Sequence, residues 1–188
     1  MTTRLVLSAV AAAALAAVTA VVPLAAKEMT KMVGGAAMFP SKNIVENAVN
    51  SKDHTTLVAA VKAAGLVDTL ASPGPFTVFA PTNDAFAMLP KGTVATLLKP
   101  ENKAQLTKIL TCHVVAADAM AGMIKKMISD NGGEHQVKTV GGCVFTARMK
   151  GGKIEIVDGK GGTATVTIAD VKQSNGVIHV INHVLLPG

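Results

Sequence analysis

The chain of 188 residues contains no tryptophan and no tyrosine, and phenylalanine occurs only five times. Without those rings the chain lacks the platforms on which single-strand nucleic-acid binders stack successive bases. Cysteine is equally sparse, at Cys112 and Cys143 alone. No serine sits in a G-x-S-x-G elbow and there is no glycine-rich phosphate loop of Walker type, so the common nucleophilic and nucleotide-binding motifs are missing. Charged residues make up 16% of the chain while 49% are hydrophobic, a balance that excludes intrinsic disorder.

What is present begins with a leader. Arg4 gives a positive start, the 18 residues from Leu5 to Val22 carry no charge, and Pro23, Ala25 and Ala26 follow. This is the layout of a signal peptide over residues 1–26. Eight of the 18 are alanines, which gain little from hydrocarbon, so cleavage is expected rather than permanent anchoring. The cut falls after Ala26 or after Ala20. No cysteine lies near either, which excludes a bacterial lipid anchor. A secreted or periplasmic location follows, with membrane contact only through the leader before cleavage.

Cleavage after Ala26 leaves 162 residues, enough for one domain with a sizeable core. Residues 27–42 show no periodicity and read as a lead-in, so the folded unit is expected over 43–187. Ile44, Val45 and Ala48, then Leu57, Val58 and Val61 before Gly65, recur at helical spacing. Pro73 to Pro75 enforces a turn, Phe76 to Ala80 reads as a strand ended by Pro81, and Thr82 or Asn83 can cap a short helix carrying Phe86 and Leu89. Thr93 to Leu98, Glu101 to Thr111 and Asp118 to Ser129 read as helices. In the last of these Met120, Met123 and Met127 read as core filler. From Gln136 onward, strand-length runs separated by glycine pairs predict an antiparallel meander.

The net charge of +6 falls to +5 without Arg4. Lysines are spread along the chain, and a loose group of Arg148, Lys150, Lys153 and Lys160 is diluted by Glu155 and Asp158. That is a solvated basic surface rather than a polyanion site. Cys112 and Cys143 either close a disulfide in an oxidising compartment or stay as two buried small hydrophobes. Cys112 beside His113 on a strand would point to the opposite face, so the two do not form a dyad. His179 and His183 are spaced as a helical metal pair, but on a strand that spacing separates them by about 13 Å, so neither metal nor cofactor is expected.

GPFTVFAPTNDAF, Gly74 to Phe86, and NGVIHVINHVLLP, Asn175 to Pro187, resemble the two signatures of fasciclin-type domains, in the manner of a single-domain bacterial secreted member. LTKILTCHVV, Leu106 to Val115, is similar to the segment between them, with Cys112 where the family has tyrosine. The resemblance implies an α+β fold, a β-wedge or sandwich with a layer of short helices. It implies structural roles for Thr77, Phe79, Pro81, Thr82, Asn83, Asp84, Phe86, His113, Asn175, Gly176 and His179. It also implies a non-catalytic adhesion or matrix-contact module whose partner is a protein or polysaccharide of the envelope or matrix. A carrier of a small or lipidic ligand in a cleft is the alternative. No binding or catalytic residue is identified from the chain itself, and no counterpart of the acidic-aliphatic loop motifs of integrin-binding members is found.

Overall fold

A computed structural model describes residues 30–188 of the chain, so the leader lies outside the described residues. Two short strands, β1 (Lys31–Val33) and β2 (Ala36–Met38), form an antiparallel hairpin through the glycine pair Gly34 and Gly35. Val33 and Met38 are buried in the core, and Lys31 donates a hydrogen bond to the Ala169 carbonyl at 2.6 Å. The segment expected as a lead-in is therefore part of the packed domain. Its core face is only Val33, Ala36 and Met38 wide, too short to leave a periodic signal.

Three helices follow, α1 (Ile44–Ala48), α2 (Thr55–Ala64) and α3 (Val67–Ala71). A capping box starts α1: Asn43 accepts from Glu46 N–H, and the Glu46 carboxylate accepts from Asn43 N–H. Gly65, left-handed at φ 73°, stops α2. Then come β3 (Phe76–Pro81), α4 (Asn83–Ala87), α5 (Thr93–Leu97) and α6 (Lys103–Cys112). The two-residue strand β4 (Val114–Val115) leads to α7 (Ala121–Asp130), and the meander β5 (Glu134–Lys138), β6 (Val144–Lys150), β7 (Lys153–Val157), β8 (Thr163–Gln173) and β9 (Gly176–Ile181) completes the chain.

Seven strands make one sheet in the order β4-β3-β9-β8-β7-β6-β5. The meander is antiparallel throughout, as its glycine spacing predicted, but it joins the front of the domain through a parallel pairing of β3 with β9, Phe76 opposite Gly176 to Pro81 opposite Ile181. β8 bridges the halves, pairing with β7 at one end and β9 at the other, with bulges between Val166 and Val171. The resulting wedge has two cores. Helices α1 to α6 cover one, where Val78, Ala80, Ile178 and Val180 point; α7 and the inner faces of β6 and β7 enclose the other, with Phe79, Phe145, Ile156 and Ile181.

β3 buries both faces because it lies between a helical layer and the meander core. One sequence expectation is corrected. In α7 the buried stripe is Ala121, Ile124 and Ile128, whereas Met123 is 53% exposed and Met120 and Met127 are only half-buried. Both stripes have helical spacing, and the β-branched one won the core.

Candidate functional site

The two signature strands run side by side, so their polar residues share one face. Thr77 and Phe79 of β3 register opposite Val177 and His179 of β9, and the Phe79 and His179 rings stack with centroids 5.8 Å apart. Thr77 Oγ1 donates to the Ala117 carbonyl at 2.6 Å and accepts from Ala119 N–H at 2.8 Å. His179 Nδ1 accepts from Asp170 N–H, so Nε2 carries the proton and donates to the Ala119 carbonyl at 2.8 Å. Asp170 sits in the β8 bulge at φ 55°, and its carboxylate accepts from Ala121 N–H at 2.6 Å. Thr77, His179 and Asp170 together hold the 116–121 segment that carries the chain from β4 into α7.

His113 caps the C-terminal end of α6 rather than lying in a strand, and Cys112 is the last residue of that helix. Leu185 N–H donates to its Nε2 at 2.9 Å, so Nδ1 is protonated and donates to the Ile109 carbonyl at 2.8 Å. Burial pushes the His113 pKa down to about 4, against the smaller upward pulls of the Ile109 carbonyl and Asp158. His179 is lowered for the same first reason, with the Ala119 carbonyl opposing. Beside His113, Cys112 is bonded to Cys143, with Cα atoms 5.4 Å apart, so its sulfur is no free thiolate nucleophile.

Asn175 is a three-way strut. Its Oδ1 accepts from Ile44 N–H at the start of α1, and its Nδ2 donates to the Leu70 and Ser72 carbonyls at the end of α3. Gly176, at φ 154°, lets β9 run against β3, where any Cβ would strike the Phe76 carbonyl. Thr82 caps α4 by accepting from Ala85 N–H, and Pro81 closes the β3 pairing. Asn83 does not serve its own helix. It accepts from Thr56 N–H and donates to the Lys52 carbonyl, pinning the start of α2. Asp84 is exposed in the first turn of α4, and Phe86 is buried in the helical core.

Three residues outside the signatures matter as much and left no sequence signal beyond a lone polar letter. Fully buried Asn47 links Phe39, Lys42 and Gln173. The Asp158 carboxylate accepts from Lys160, Gly162 and Leu186 N–H groups and so anchors the C-terminal segment. His54 is buried beside a cavity described below.

His183 is exposed past the end of β9 while His179 is enclosed, so the two do not converge. Among the described residues no group of three or more His, Cys, Asp or Glu is placed to hold a metal. The basic group is partly neutralised: Arg148 pairs with Glu155 at 2.6 Å, and Lys150 reaches the same carboxylate at 3.5 Å. Arg148 thereby holds the Glu155 carboxyl below its usual range. An open groove of about 460 Å³ lies where Pro73–Pro75 faces Lys172–Gly176, with Asp118 on its rim.

Comparison with known proteins now bears on this arrangement. The fasciclin domain model matches residues 52–187. Protein sll1483 of Synechocystis sp. is 48% identical over 160 residues, spanning 85% of this chain and 82% of that protein. Immunogenic protein MPB70 of Mycobacterium bovis is 36% identical over 145 residues, 74% of this chain and 66% of its own length. Transforming growth factor-beta-induced protein ig-h3 of Sus scrofa is 35% identical over 153 residues, which is 79% of this chain but 20% of that protein. Among solved structures, a FAS1 domain pair from the insect cell adhesion molecule Fasciclin I aligns with a TM-score of 0.54 at 26% identity, covering 74% of this chain and 45% of that one.

Proposed function

Because the chain belongs to the fasciclin domain family, we propose that it is an exported, non-catalytic binding module that works by surface contact with a protein or polysaccharide of the cell envelope or extracellular matrix. The observation that carries this reading is the use to which the signature side chains are put. The polar atoms of Thr77, Asn83, His113, Asn175 and His179 are hydrogen-bonded to backbone within the chain, so these residues build the scaffold. Partner recognition then falls to the surface that scaffold presents. The insect structural neighbour is part of a cell adhesion molecule, which supports the same assignment.

The carrier alternative calls for a closed apolar pocket of roughly 300 to 1,000 Å³. The enclosed cavity between the helices and the sheet is about 60 Å³, too small for a lipid chain. Surface contact is therefore the better supported reading.

The test is sedimentation of the purified domain with washed envelope and matrix material from the native host. Saturable binding that resists added salt and is abolished by protease or by glycosidase treatment supports the reading and names the partner class. Binding no stronger than that of an unrelated protein of equal positive charge, and lost with moderate salt, overturns it, since a net positive charge by itself produces screened, non-specific attraction.

A further inference from the structure

The seven-stranded sheet ends in two edges of different kind. At one edge β4 is only two residues long, and the turn that follows β5 closes against it. Val140 N–H donates to the Val114 carbonyl at 2.7 Å, and Gly141 N–H to the Thr111 carbonyl at 3.0 Å. At the other edge lies β5 (Glu134–Lys138), which pairs with β6 alone. Glu134, Gln136 and Lys138 are exposed, and among the described residues no backbone group of β5 bonds to any element but β6. Alternate residues of an antiparallel edge strand turn their N–H and C=O groups outward, where a further strand can pair with them.

Natural proteins guard such edges with charge. Here the two charges have opposite sign and mirror-image places, Glu134 two residues before Gln136 and Lys138 two residues after it. Neither is in an ion pair among the described residues. Arg148, opposite Glu134 on β6, is already paired with Glu155, and the residue opposite Lys138 is Val144. An antiparallel copy of β5 centred on Gln136 would set Glu134 against Lys138 of the second copy, and Lys138 against its Glu134. Gln136 meets its own counterpart, and His135 lies across from Val137. Opposite charges placed directly across two strands attract, whereas like charges repel. A slip of two residues in either direction leaves both charges without a partner, so charge selects this one register.

We propose that β5 is a self-association edge, at which two copies of the chain pair antiparallel about Gln136 and join their sheets into one. A second copy presents the required carboxylate and ammonium at the reversed spacing by construction, and the contact is isologous, the geometry of most homodimers. The strand contributes five residues a side, against about 20–30 in a standard interface, so the association is weak and concentration-dependent. It is independent of the envelope or matrix partner, because sedimentation with envelope material reads that contact and self-association reads this one.

The test is sedimentation equilibrium of the purified protein from about 10 µM to 1 mM, the weak end of the affinity scale, with NMR of the backbone amides in the same series. Expected are a monomer–dimer equilibrium and amide shifts centred on residues 134–138. Glu134→Lys and Lys138→Glu each set like charges across the two-fold axis at both ends of the strand, and each should weaken association about 10-fold or more. Both positions are exposed, so both variants should fold. Mixing the two single variants restores opposite charges at both ends, as does the double variant, and either should regain the wild-type association. A wild-type monomer throughout, amide shifts lying outside β5, single variants that associate as well as wild type, or a mixture that fails to regain association would overturn the proposal.

Discussion

His113 uses both ring nitrogens, donating to Ile109 at the end of α6 and accepting from Leu185 in the C-terminal segment. Truncating it removes two hydrogen bonds and opens a hole at a site 2% exposed. His113→Ala should therefore lower the unfolding free energy by roughly 2 to 4 kcal/mol, read by urea denaturation at pH 7. Acid should weaken the fold through the same ring. Its folded pKa of about 4 lies below the unfolded value of 6.5, so between the two the unfolded chain holds a proton that the native state refuses. The stabilisation is complete above pH 6.5 and lost as pH falls toward 4, by about 3 kcal/mol for this group. His54 and His179 are shifted in the same direction and steepen the fall. A flat stability profile between pH 7 and pH 4.5, or an unchanged His113→Ala variant, would show that the ring is open to water.

At the level of elements, the β1–β2 hairpin and the disulfide fasten segments that local sequence leaves loose. Met38, 2% exposed, seats β2 in the helical core. Met38→Ala should cost about 2–5 kcal/mol, and a neutral effect in thermal or urea unfolding would return the hairpin to the status of a dispensable lead-in. The Cys112–Cys143 bridge, with a sequence separation of 31, ties the end of α6 to the entry of β6. In the chain-entropy model a loop of that length contributes about 3–4 kcal/mol. Thiol titration of the unfolded, unreduced protein should find none free, and Cys112→Ser should lose about 2–5 kcal/mol; two titratable thiols would contradict the bridge. Six of the seven α-helices were readable from period and caps, whereas the five-residue α3 (Val67–Ala71) was not. Which apolar face of α7 turns inward was not readable either, because the stripes through Ile124 and Met123 have the same spacing and only the partner surface chooses.

For the whole molecule, the proposed export is the property that the leader predicts and that can be tested directly. The uncharged run from Leu5 to Val22 after Arg4 predicts a mature N-terminus near Lys27 or Val21. Mass spectrometry of the protein from its native host should find one of these ends, and a cytosolic pool beginning at Met1 would refute export. An N-terminus near Lys27 leaves the hairpin starting at Lys31 intact, consistent with its place in the folded unit.

The sequence by itself determined α1, α2 and the antiparallel meander, each written in a local period, a cap or a glycine turn, while its two signatures carried the resemblance that implied the α+β wedge. Only the tertiary structure decided the rest. The parallel alliance of β3 with β9 joins residues about a hundred positions apart, and no local pattern encodes which distant edge a strand will meet. That alliance buries β3 on both sides, brings Thr77 and His179 onto the same segment, and sets Asn175 between α1 and α3. It also encloses His54, whose Nδ1 lies 2.8 Å from Ser51 Oγ. A hydrogen-bond partner is a property of three-dimensional neighbourhood, so a single histidine in a string of letters cannot declare whether it has found one.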